Sequence, residues 1–117
     1  MSSLADRLRA GKAVIENPDH WLQGTFSDLA GNSCAAGAVF VAEGKGIGRE
    51  MIGDQVHAGD EALDALEHSA AYLYPNATSA DGETHEYVLP YLCSVNNHIG
   101  HDAVMAVYDH AIAAASQ

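Results

Sequence analysis

The residues best suited to chemistry lie near the end of the chain, where His98, His101 and Asp102 fall within five positions. Imidazole nitrogens and carboxylate oxygens together bind zinc and other divalent metals. This set is therefore a candidate metal site, which would make the protein a small metal-binding protein or a metal-dependent hydrolase. Asn96 and Asn97 directly precede the set and add polar side chains to the same region.

The spacing of the histidines argues against a shared metal ion. His98 and His101 stand on opposite sides of Gly100, so they converge only if the chain turns there. His110 lies nine residues after His101, which places the two about 180° apart on a helix of about 3.6 residues per turn. The alternative is that these side chains cap or line the start of a helix, where Asp102 complements the helix dipole. We favour this structural interpretation and predict no metal and no other cofactor.

The cysteines are a second candidate for chemistry. Cys34 follows Asn32 and Ser33 at the predicted start of a helix, where the helix dipole lowers the pKa of a thiol. A nucleophilic thiol also needs a base, which one of the seven histidines could supply. Cysteine outside disulfides is, however, among the residues most often buried. We therefore predict no catalytic residue and interpret Cys34 and Cys93 as reduced thiols of the core.

A third candidate is the segment around Trp21, which places an indole ring beside the amide of Gln23. The pair could line a surface for a small ligand, although an anchor that packs its loop onto the second helix is the commoner role. The predicted binding residues of the chain are Trp21, Gln23, Asn96, Asn97, His98, His101 and Asp102.

The secondary structure that holds these residues is predicted to be helical, because apolar residues recur along the chain at helical spacing. The predicted helices span about Leu4 to Glu16, Cys34 to Ala42, Asp60 to Tyr74, His85 to Val95 and His101 to Ala115. Ser3 and Asp6 approximate a capping box at the first helix, and 96–100 is predicted to be a turn. We expect one all-α domain over 1–117, a compact bundle of about five helices with room for one short hairpin near 21–28.

The charge is distributed unevenly along the chain, whose formal net charge is −11. All five Lys and Arg residues lie in the first 49 positions, whereas 51–117 contains ten Asp and Glu, six of the seven histidines and no Lys or Arg. An acidic surface repels phosphate backbones, so we expect no direct binding to nucleic acid. It suits a protein partner with a basic surface, although solubility alone or a halophilic source would also explain the excess of acid.

The location of the protein is predicted from what the chain does not contain. No segment reaches the roughly 20 consecutive apolar residues of a transmembrane helix. The first twelve residues alternate in charge and lack the pattern of a signal peptide. We therefore expect a cytoplasmic protein that does not associate with membranes, and the sequence predicts no particular oligomeric state.

Three short motifs stand out along the chain. They are Trp21-x-Gln23-Gly24, Cys34-Ala35-x-Gly37-Ala38 and an Asn-rich turn, Asn96-Asn97, that leads into His101-Asp102. In these motifs the chain resembles a family of small uncharacterised proteins of actinobacteria and their phages, in which a W-N-D element replaces Val95-Asn96-Asn97. The resemblance implies such an origin, with the host cytoplasm as the location if a phage encodes the protein, and it implies no activity.

Together, these observations favour a small acidic, non-enzymatic accessory protein that acts by binding a host or partner protein. The alternative function is metal binding or metal-dependent hydrolysis at the region from His98 to Asp102.

Overall fold

A computed structural model describes residues 3–21, 34–35, 37–42, 61–77 and 90–116. In these residues the structure consists of five α-helices and contains no strand, which confirms the predicted all-α class. The helices are α1 (Leu4–Ile15), α2 (Gly37–Ala42), α3 (Glu61–Leu73), α4 (Pro90–Ser94) and α5 (His101–Ala115). A 3₁₀ turn, Pro18–His20, follows α1, and a π-helical turn, Val95–Ile99, joins α4 to α5.

The beginning of α1 follows from the two residues predicted to cap it. The hydroxyl of Ser3 accepts the backbone N–H of Asp6 at 3.1 Å, and the carboxylate of Asp6 accepts the N–H of Ser3 at 3.4 Å. The helix ends at Ile15, one residue earlier than predicted, because a residue before proline avoids the helical region. Asn17 is that residue, and its side chain accepts the N–H of Asp19 at 2.9 Å to begin the 3₁₀ turn.

The core is built from buried side chains of all five helices. Its largest fully buried side chain is Tyr108, whose hydroxyl donates to the carbonyl oxygen of Ala35 at 2.6 Å. Burial raises the pKa of Tyr108 well above its ordinary value. A Cβ atom at Gly11 would lie 3.0 Å from both the Tyr108 hydroxyl and a methyl group of Val39. Glycine at this position therefore permits the close approach of α1 to its neighbours.

A side chain of α3 caps α4. The half-buried carboxylate of Glu67 accepts the backbone N–H of Tyr91 at 3.0 Å and that of Leu92 at 2.7 Å. Such N–H groups have no partner within their own helix, and a carboxylate also complements the dipole there. Burial raises the pKa of Glu67, while the hydrogen bonds from Leu92 and Tyr91 act to lower it.

Two boundaries differ from the prediction for identifiable reasons. Helix α2 begins at Gly37 rather than at Cys34, because Cys34 occupies the capping position: its sulfur accepts the N–H of Gly37 at 3.4 Å and its carbonyl accepts that of Ala38 at 3.0 Å. The turn predicted over 96–100 is wrong. The chain continues from α4 into the π-helical turn, and it breaks only at Gly100, whose φ of 133° is rare for residues with a side chain.

Two other predictions lie outside the described residues. They are the hairpin near 21–28, of which only Trp21 is described, and residues 85–89 at the start of the predicted fourth helix.

Candidate functional site

Three of the predicted binding residues, Trp21, Asn96 and His101, meet at a contact region that we call the junction, which also contains Ile15 and Ala35. Asn96 is its centre and is buried, with 3% of its surface exposed. Its side-chain oxygen accepts the indole N–H of Trp21 at 2.6 Å and the backbone N–H of Ala35 at 2.9 Å. One amide therefore connects the π-helical turn to the end of the 3₁₀ turn and to the segment before α2.

His101 supplies the second connection of the junction. Its Nε2 lies 2.7 Å from the carbonyl oxygen of Ile15, the last residue of α1. Because a carbonyl oxygen only accepts, this nitrogen carries the hydrogen and donates. The imidazole also contacts Trp21 edge to face, with ring centroids 5.4 Å apart and an interplanar angle of 69°. The first residue of α5 is thus fixed against the end of α1.

The remaining predicted binding residues do not all join the junction. Asn97 accepts the side-chain N–H of Asn96 at 3.0 Å, so it lies at the edge. His98 and Asp102 are exposed, and Gln23 is outside the described residues. Trp21 was expected to anchor its loop onto the second helix, whereas its side chain contacts the π-helical turn and α5.

The alternative metal site is not formed. Across the described ranges, no three His, Cys, Asp or Glu side chains are placed to hold a metal ion. His101 already donates from Nε2 to Ile15, and its ring packs against Trp21, while His98 lies in the exposed part of the π-helical turn. The geometry therefore gives His101 a structural role between α5 and the end of α1, although no side chain caps the start of α5 itself.

The two cysteines are buried, with 7% of Cys34 and 8% of Cys93 exposed, and no disulfide joins them. Cys34 also caps the segment that leads into α2 through its sulfur. Both positions agree with the interpretation of these residues as thiols of the core.

Sequence reasoning missed a second cluster, which lies on the outside of the bundle. We call it the α3–α5 face, and it consists of Glu61, Asp64, His68, Tyr72 and His110. The first four belong to α3 and are exposed, and Tyr72 is 70% exposed. His110 of α5 stacks on the Tyr72 ring, with centroids 4.9 Å apart and an interplanar angle of 24°. The signal in the sequence was the spacing 61, 64, 68 and 72, which follows one side of a helix.

A buried hydroxyl fixes the histidine of this face. Nδ1 of His110 lies 2.9 Å from the hydroxyl oxygen of Ser69, which is only 2% exposed. Ser69 precedes Tyr72 by three residues, so both hold the imidazole against α3. The stacked pair is therefore part of the folded structure and not a chance contact of two mobile side chains.

The charges of the described residues divide between α1 and the rest of the bundle. On α1, Lys12 pairs with Asp109 at 2.7 Å and with Glu16 at 3.7 Å, and Arg9 pairs with Asp6 at 3.3 Å. Three exposed carboxylates of α3 and α5 form no salt bridge with any described residue. These are Glu61, Asp64 and Asp102.

Comparison with known proteins gives a family and no activity. The model of a family of unknown function, DUF6197, matches residues 1–114. No curated protein and no solved structure matches the chain. In the part of the chain that is described, no helix has both the length and the apolar character needed to cross a membrane.

Proposed function

We propose that this chain, which belongs to the DUF6197 family of unknown function, is a non-enzymatic accessory protein that binds a partner protein with a basic surface. One observation carries the proposal: the exposed carboxylates Glu61, Asp64 and Asp102 have no cationic partner among the described residues. Residues 51–117 contain no Lys or Arg at all. A partner would supply the missing cations, and opposite charge would also accelerate encounter.

The junction supports a binding protein rather than an enzyme. Catalysis by side chains requires groups that can reach a substrate with their reactive atoms. Here the side-chain oxygen of Asn96 accepts the indole N–H of Trp21 and the backbone N–H of Ala35. The Nε2–H group of His101 donates to the carbonyl oxygen of Ile15. These polar atoms serve contacts between helices, which leaves the acidic exterior as the part of the molecule that faces a partner.

The origin and location belong to the same proposal. The resemblance of the Trp21, Cys34 and Asn96 motifs to proteins of actinobacteria and their phages supports such a source. An accessory protein of this kind would act in the cytoplasm, on a protein of the host or of the cell that encodes it.

Affinity capture with matched charge variants tests the proposal. The test variant carries Glu61→Gln, Asp64→Asn and Asp102→Asn; the control variant carries Asp6→Asn, Glu16→Gln and Asp19→Asn. Each loses three negative charges. The control also removes the Asp6 cap of α1 and the salt bridges of Asp6 and Glu16, so thermal melts first establish that both variants are folded. We expect wild type and control to capture the same basic protein from a lysate, and the test variant to lose it.

The captured protein is then purified and its binding measured directly at low and moderate salt. Capture of an acidic protein, or equal loss of binding in both triple variants, would contradict the proposal. Absence of any specific capture across the salt range would contradict it as well.

A further inference from the structure

We infer that the α3–α5 face is the surface that docks the partner, and that its occupant is a basic segment of that partner that carries arginine. The inference rests on the proposed function and names where and how the contact is made. The observations that carry it are an exposed aromatic residue, a histidine that holds it and two carboxylates in register on one helix.

The face is a continuous stripe along α3. Glu61, Asp64, His68 and Tyr72 are all exposed, whereas the opposite side of the same helix is fully buried at Leu63, Leu66 and Ala70. At about 1.5 Å of rise per residue, the stripe from 61 to 72 is about 16 Å long. This length accommodates several side chains of one partner segment.

Tyr72 is the aromatic residue at one end of the stripe. Among the described residues, the large hydrophobic side chains that are exposed are Tyr72 at 70% and Ile99 at 47%. His110 stacks on the Tyr72 ring and is itself fixed by Ser69. Because the Tyr72 ring is already positioned, its side chain loses little entropy when a partner packs on it.

The carboxylates specify the chemistry of the occupant. Asp64 lies eight residues before Tyr72 and so about 12 Å from it along the helix axis. Arginine suits this arrangement better than lysine, because its planar guanidinium stacks on aromatic rings and binds carboxylates with two parallel hydrogen bonds. Tyrosine and arginine are also enriched among the residues that dominate binding energy at interfaces.

A second copy of this chain is a poorer occupant. Among the cations of α1, Lys12 already pairs with Asp109 and Glu16, and Arg9 already pairs with Asp6 and donates to the hydroxyl of Ser116 at 3.0 Å. Docking these cations on another copy would break existing contacts. Of the two, a segment of a different protein is therefore the better occupant.

Two model peptides, nine arginines and nine lysines, test the inference with the full-length chain at pH 7.5 and 150 mM salt. We expect backbone amide NMR shifts to concentrate in 61–73 and around His110, and the arginine peptide to bind about fivefold more tightly than the lysine peptide. Asp64→Asn and Tyr72→Ala should each weaken binding of the arginine peptide by about fivefold.

Matched variants distinguish binding at this face from attraction by the net charge of the protein. Tyr72→Phe keeps the ring and should bind within about twofold of wild type, and Asp19→Asn, which removes one exposed charge of the 3₁₀ turn, should do the same. Thermal melts establish that each variant is folded. All substituted side chains are exposed, so we expect no loss of fold.

The contrary outcomes distinguish the inference from the proposed function. If Asp19→Asn weakens binding as much as Asp64→Asn, or if the shifts concentrate at 98–102, the α3–α5 face is not the site, although an acidic surface still binds. If a dimer of this chain forms and Tyr72→Ala dissolves it, a second copy is the occupant and the inference is wrong. If neither peptide binds at all, both the inference and the proposed function fail.

Discussion

The junction and the α3–α5 face each hold a histidine of α5 by one hydrogen bond and one aromatic contact. His101 donates to the carbonyl of Ile15 and meets Trp21 edge to face, whereas His110 hydrogen-bonds to Ser69 and stacks on Tyr72. In the junction the aromatic ring packs against the core and its N–H is used within the protein. In the α3–α5 face the aromatic ring is largely in water.

The two sides of α5 therefore differ in what they contact. Nine residues separate the histidines, which places them on opposite sides of α5, about 180° apart. The strip of α5 between them is buried, at Val104, Val107 and Ala111. One side of the helix therefore makes contacts that hold the bundle together, and the other holds an ordered pair of rings at the surface.

The largest effect is expected at the centre of the junction. Asn96→Ala leaves the indole N–H of Trp21 and the backbone N–H of Ala35 without their acceptor. Each buried donor left unpaired costs about 1–3 kcal/mol, so we expect a loss of about 3 kcal/mol in the free energy of unfolding. The matched variant is Asn97→Ala, which removes one acceptor, that of the Asn96 side-chain N–H, and should cost less, about 1–2 kcal/mol. Urea unfolding measures both, and equal losses would show that Asn96 is not the connection we describe.

A smaller difference should separate the two histidines. His101→Ala removes a hydrogen bond and a ring contact inside the junction, and we expect it to cost about 1–2 kcal/mol. His110→Ala removes a similar pair at the surface, and we expect less than about 1 kcal/mol. Thermal and urea unfolding of the two single variants measure both losses of stability. If His110→Ala proves the more damaging substitution, the contacts of His110 stabilise the fold more than those of His101, and the α3–α5 face is a structural element.

The smallest effect concerns pH and lies at Glu67, outside both regions. Burial raises its pKa above the ordinary value of 4.5, against the hydrogen bonds from Leu92 and Tyr91. The folded state therefore binds the proton more readily than the unfolded chain. The stability from this linkage is complete below about pH 4.5 and is lost as pH rises through the folded pKa.

A variant without this titration isolates the effect. Relative to Glu67→Gln, wild type should gain stability as pH falls from 7 towards 4.5. Urea unfolding of both proteins across this range is the measurement. A difference between them that stays constant, or that moves against wild type on acidification, would refute the assignment.

Local chemistry was sufficient to predict much of the fold. Ser3 and Asp6 form the capping box that their spacing indicates, and α5 spans the predicted residues, His101–Ala115. Both features depend on residues a few positions apart, where hydrogen bonds and helical periodicity are encoded directly. The π-helical turn was missed because Asn residues before a glycine are typical of a turn. Nothing in their types indicates that the N–H of Gly100 donates to the carbonyl of Val95, five residues earlier.

The candidate sites depend on contacts that sequence spacing does not reveal. Asn96 and Trp21 are 75 positions apart, and His110 and Ser69 are 41 apart. Type and spacing identified Trp21, Asn96 and His101 as notable, but did not reveal that the indole N–H of Trp21 donates to Asn96 or that its ring contacts His101. Tyr72 was unremarkable on its helix, because its pairing with His110 depends on how α3 packs against α5.

Trp21 is the only tryptophan of the chain, and its place in the junction makes it an optical probe of that region. Its emission should report on the hydrogen bond to Asn96 and the contact with His101, whereas circular dichroism reports on the helices as a whole. If both signals change together on heating, the junction and the bundle melt as one cooperative unit. If the emission changes first, the 3₁₀ turn detaches from a bundle that is still helical, and the molecule contains a separable outer layer.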